Sequence, residues 1–194
     1  MNEIKSTSER IIAAFIELFR DYGYKGATTR AVAERAGVNE VTIFRHFGNK
    51  KGMMDAALQS LSYSPFLEKI IKEEMVWDLE KDLWVIADGY QTYMEKIGDL
   101  VLIGLREAGL FPELNEALMQ VPKQLKDNMV AYLGEMSRRG KLIDTDIEFQ
   151  AMNFIWLNFG HFISKSRFGN SVISNSRNEF LKNSVQLFAR GLTP

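Results

Sequence analysis

No stretch of this chain alternates apolar and polar residues as a half-buried strand must. Apolar positions instead recur at spacings of three and four almost from end to end. That periodicity restricts the chain to an all-α fold. In residues 8–22, Ile11, Phe15, Leu18, Phe19 and Tyr22 share one helical face. Ser6 and Glu9 form a capping-box pair ahead of it, and Gly23 stands where a helix is expected to end. Short helices are predicted over 29–36, behind Thr28, and over 40–47, behind Asn39. Asn49 can cap a fourth helix starting at Lys50, which Pro65 should end or kink. Further amphipathic segments read at about 66–75, 79–97, 99–108, 112–138, 146–168 and 175–190. Pro122 makes the 112–138 segment either a kinked helix or two.

The two short helices, joined through Gly37, form the pattern of a helix-turn-helix. Ala33 and Ala36 permit close helix approach, and Val38 and Ile43 can fill the space beneath the turn. Glu40, Val41, Thr42, Arg45 and His46 then remain for the major groove. Net charge taken over the whole chain argues against nucleic acid, since 24 Lys+Arg face 25 Asp+Glu. The charge is segregated, however: residues 25–51 carry six basic and two acidic side chains. A local basic recognition segment on an acidic body is what the sequence implies. Arg35 reads as a solvated surface residue, and Glu40 first as a partner of the helix dipole.

The chain has no cysteine and two histidines, and lacks a Gly-x-Ser-x-Gly elbow, a phosphate loop and a His-Glu-x-x-His pair. Neither a catalytic centre, a metal site nor a cofactor is therefore expected. No secretory signal or membrane-spanning run is present, so a cytoplasmic protein without membrane contacts is expected.

The text RIIAAFIELFRDYGYKGATTRAVAERAGVNEVTIFRHFGNKKGM, residues 10–53, resembles the DNA-binding segment of the TetR (tetracycline-repressor-like) family of bacterial transcriptional regulators. The resemblance runs through Thr28-Thr29-Arg30, Ala36-Gly37-Val38 and the run from Thr42 to Phe47 with Lys50. It implies an N-terminal three-helix helix-turn-helix domain, residues 1–49, followed by a helical effector-binding and dimerisation domain, residues 50–194. It also implies that Thr28 bonds a phosphate, and that Arg30 reaches a phosphate or a guanine edge. Thr42 would meet a phosphate or a thymine methyl. Arg45 and His46 would face backbone or base edges, and Lys50 would clamp a phosphate. Two residues depart from the commonest family pattern. Phe44 replaces a usual tyrosine, and Val41 a frequent glycine.

The segment 146–168 is apolar nearly all round, so it needs neighbours on several sides. A second copy of the chain is the simplest additional neighbour. Asn153, Leu157, Gly160 and Ser164, with Leu181, Val185 and Phe188, are the expected interface of a homodimer. A dimer requires a pseudo-palindromic double-stranded DNA operator. Trp84, Tyr90, Met94, Met119, Met129, Phe154, Asn158 and His161 are candidate lining for a small hydrophobic effector. The expected function is a repressor that such an inducer releases. The alternative is a DNA-binding architectural or cell-division factor that has no inducer.

Overall fold

In the computed structural model, residues 6–59, 69–70, 73–107, 112–172 and 174–194 are described. Eight helices and no strand occur among them. They are α1 (Thr7–Gly26), α2 (Thr29–Ala36), α3 (Glu40–Phe47), α4 (Lys50–Gln59), α5 (Leu79–Glu107), α6 (Pro112–Arg138), α7 (Ile147–Phe168) and α8 (Arg177–Leu192). The caps explain most of the boundaries. Ser6 and Glu9 close a reciprocal capping box, as do Ser176 and Glu179. Thr28, Asn39 and Asp146 each accept a first-turn backbone N–H with the side chain. Helical turns resume after Gly23, whose φ is 69°, and run on to Gly26.

Residues 79–107 form one helix where two segments were expected. Gly98 does not break it, because burial continues across the glycine at Tyr93, Met94, Ile97, Leu100 and Val101. A glycine inside a helix costs about 1 kcal/mol relative to alanine, which packing of this extent offsets. Pro122 likewise lies inside the single helix α6. Pro65 and most of the 66–75 segment lie outside the described residues.

The chain forms two compact units, Met1–Ser62 with Ile97–Met119, and Tyr63–Lys96 with Gln120–Pro194. The end of α5 and the start of α6 fall in the first unit with α1–α4. The first unit has its core at Ile11, Phe15, Phe19, Val32, Ile43 and Met53. Its α5 portion is tied to α1. Arg106 donates to the carbonyls of Phe19 and Arg20 at 3.1 and 2.8 Å, and Arg20 pairs with Asp99 at 2.8 Å. Arg106 thus brings a cation to two carbonyls in the last turn before Gly23.

The second unit is built on buried polar pairs as well as apolar packing. Asp82, at the start of α5, accepts from the Tyr132 hydroxyl at 2.8 Å and from the Val76 N–H at 2.9 Å. Burial first, and then the Asp82 carboxylate, push the Tyr132 phenol well above the ordinary tyrosine range. Gln91 donates to the side-chain and backbone oxygens of Asn158, so α5 and α7 are joined by satisfied amides in an apolar setting. Arg177 reaches Asp88 and Glu95 of α5 from the first turn of α8.

Candidate nucleic-acid interface

Two local devices set the angle between α2 and α3. Gly37 caps α2 at φ 66°, ψ 41°, the left-handed conformation that ordinary side chains resist. The Thr29 hydroxyl donates to Glu40 Oε1 at 2.5 Å, linking the first turn of α2 to the first turn of α3. Ile43 is fully buried beneath them. The opposite face of α3 carries Val41 and Phe44, 70% and 49% exposed, with Arg45 and His46 also exposed. Thr28 and Arg30 are exposed at the head of α2. Thr28 Oγ1 accepts from the Ala31 N–H, which leaves its hydroxyl hydrogen free to donate.

Three residues named from the sequence have different local roles. Glu40 is engaged with Thr29, so its carboxylate is a strut between helices. Thr42 is half-buried at the base of α3. The Lys50 ammonium donates to the Tyr24 carbonyl and lies 4.1 Å from the centre of the Tyr24 ring. Burial holds that ammonium below the ordinary lysine range. Lys50 thus ties α4 to the end of α1. Arg35 pairs with Glu17 at 3.0 Å, in keeping with a surface role.

The predicted effector residues do not form one lining. Tyr90, Met129, Phe154 and Asn158 border a small cavity of about 10 Å³ with Ile86, Leu125 and Ile155. Met94 is buried in packing elsewhere, while Trp84 and Met119 are exposed on the surface. His161 stacks on Phe180, with ring centres 3.7 Å apart, and neither of its nitrogens has a hydrogen-bond partner. A wider open depression of about 610 Å³, lined by Trp77, Met136, Lys141 and Arg190, was not anticipated. The left-handed φ of 61° at Trp77 helps shape it, and no sequence rule assigns that conformation to a tryptophan. Among the described residues, no three His, Cys, Asp or Glu side chains cluster as a metal set.

The imidazole of His161 is held below its ordinary value of 6.5, by burial first and by the Lys165 cation second. The unfolded chain therefore takes up this proton before the folded one as the pH falls. The contribution to stability is complete above about pH 6.5 and is lost progressively below it. Urea midpoints measured from pH 7.5 to 5.5 are expected to fall less in His161→Leu than in the parent. Equal pH dependence of the two proteins would refute this.

The expected dimer surface needs a correction. Leu181 and Val185 are fully buried within the chain's own unit, so they present nothing to a partner. The stripe they share with Phe188 faces inward, where the Phe188 ring meets Phe154 edge-on at 5.1 Å. The outward large apolar side chains are Leu187 on α8, 69% exposed, and Phe149, Trp156 and Phe168 on α7, 57%, 53% and 56% exposed. Phe149 and Trp156 meet edge-to-face at 6.3 Å. Asn153, Leu157 and Ser164 are half-buried, and Gly160 is exposed.

Comparison with known proteins accounts for both parts of the chain. Residues 11–57 match the family described as bacterial regulatory proteins, tetR family. Residues 87–191 match the AefR-like transcriptional repressor, C-terminal domain. The HTH-type transcriptional regulator YvkB of Bacillus subtilis is 32% identical over 190 residues, 98% of this chain and 99% of that one. The chain belongs to the TetR family. It is a helix-turn-helix, DNA-binding transcriptional regulator. The class C tetracycline repressor of Escherichia coli is 38% identical over 61 residues, 31% of this chain and 27% of that repressor. Among solved structures, a TetR-family regulator from Mesorhizobium loti aligns with a TM-score of 0.72 at 20% identity, covering 97% of each chain. A fatty acid metabolism regulator of Clostridium perfringens aligns at 0.73 and 15% identity, covering 95% of this chain and 99% of that one. These alignments establish the TetR-like fold with its N-terminal helix-turn-helix and helical C-terminal part.

Proposed function

We propose that the protein is a homodimeric repressor that binds a pseudo-palindromic operator and is released by a small hydrophobic inducer in the cytoplasm. The observation that carries the dimer is the exposed pair Phe149 and Trp156 on α7, with Leu187 also exposed on α8. Large aromatic side chains in mutual contact on a surface mark a protein interface. Repression is supported by the AefR-like repressor match over most of the helical body. The apolar ligand class is supported by the lining of Tyr90, Met129 and Phe154, with Asn158 as an orienting polar group.

At about 10 Å³ the cavity is smaller than any effector. An inducer must therefore bind an opened form, and it displaces the protein from DNA only if that form binds DNA less well. The small volume is also the observation that favours a DNA-binding factor with no inducer. Footprinting on the selected operator, repeated with a hydrophobic compound library, separates the two readings. Protection released by a compound supports the repressor, whereas protection that nothing in the library releases supports the other.

Arg30 and Lys50 are expected to differ in a measurable way. Arg30 is exposed at the head of α2, and Arg30→Ala should lower the slope of log affinity against log salt by about one unit per half-site. Lys50→Ala should weaken binding with the slope unchanged, because its ammonium is held at Tyr24. Anisotropy titrations from 50 to about 200 mM salt test both. A slope lowered by Lys50→Ala would restore that residue to the phosphate contacts.

A further inference from the structure

We infer that Val41 and Phe44 read the 5-methyl groups of thymine, so that part of the operator's sequence is recognised by apolar contact. The inference rests on the DNA-binding role of α3. Both side chains are large, apolar and exposed on a two-turn helix whose other face supplies the core residue Ile43. Most of Val41 and about half of Phe44 are left uncovered by the fold. An exposed β-branched valine weakens an isolated helix slightly, and an exposed phenylalanine is costly in water.

Positions 41 and 44 are three residues apart, so they lie side by side on one face of α3. Their separation along the axis is about 4.5 Å, close to the ~3.4 Å step between base pairs. Two neighbouring base pairs are therefore within their reach. The thymine methyl is the apolar group that base edges offer in the major groove. Glu40, which flanks Val41, has its carboxylate engaged with Thr29 and so does not offer a free acceptor beside it. The commonest pattern at these two positions, a glycine and a tyrosine, would offer less apolar surface than this pair does.

The test begins by selecting bound sequences from randomised duplex DNA with the full-length protein. Deoxyuridine is then substituted for thymine at each selected position in turn, which removes the methyl and leaves base pairing unchanged. Binding is expected to weaken about fourfold for each methyl read, at one or two positions per half-site. In Val41→Ala and Phe44→Ala, checked for native helicity, the penalty at the matching position should shrink toward none. If a sequence is selected and deoxyuridine is silent at every thymine, this inference falls and DNA binding stands. A penalty that persists unchanged in both variants would also overturn it. If no sequence is selected, the DNA-binding reading falls, and this inference with it.

Discussion

Gly52→Ala is expected to abolish operator binding and to destabilise the N-terminal unit by several kcal/mol, about the cost of a severe backbone clash. A Cβ at position 52 would lie 1.9 Å from the Phe47 carbonyl oxygen. Side-chain rotation cannot relieve this contact, because the obstructing atom is backbone. Either the first turn of α4 moves off the end of α3, or the Gly48–Asn49 turn rearranges. Both would disturb the Lys50 link to Tyr24 and the Asn49 bond to the Gly52 N–H at 3.0 Å. The recognition helix would then lose the support that fixes its angle to α2. Thermal unfolding and anisotropy on selected DNA check the two effects. A variant that keeps the parent's stability and affinity would show that α3 and α4 are not packed in this way.

Trp156→Glu is expected to convert the protein to a monomer at micromolar concentration and to weaken binding to a two-half-site operator by at least ~100-fold. Trp156 is exposed beside Phe149, so the substitution should leave the monomer's core intact. A carboxylate buried without a partner in an apolar interface costs several kcal/mol, and a symmetric dimer incurs that cost twice. Leu181→Glu is the contrasting variant. Leu181 is wholly inside its own chain, so that change should unfold the second unit rather than dissociate a dimer. Sedimentation velocity and circular dichroism distinguish the outcomes. A dimeric, DNA-binding Trp156→Glu would remove α7 from the interface.

The helix-turn-helix was legible because its determinants are local. Caps at Thr28, Asn39 and Asn49 and the turn at Gly37 lie within a few residues of the atoms they serve. The Lys50–Tyr24 link was not legible, since the two residues lie 26 positions apart. A basic residue at a helix start looks the same whether it faces phosphate or a carbonyl. The inward direction of the α8 stripe was not legible for a related reason. The stripe at 181, 185 and 188 is a correct helical stripe, but periodicity does not say which body covers it. On α7, with apolar residues nearly all round, periodicity identifies no face at all. Continuity of α5 across Gly98 was likewise decided by packing, which outweighs the local helix propensity of a glycine.

In the function proposed above, two copies of the chain present their α3 helices together to one symmetric site. This arrangement is tested most directly by measuring stoichiometry and affinity on the selected operator and on a duplex with one half-site scrambled. Two protomers per intact operator, with affinity lost by at least ~100-fold on the scrambled duplex, is the predicted result. One protomer per duplex, binding the intact and scrambled DNA equally well, would contradict the account.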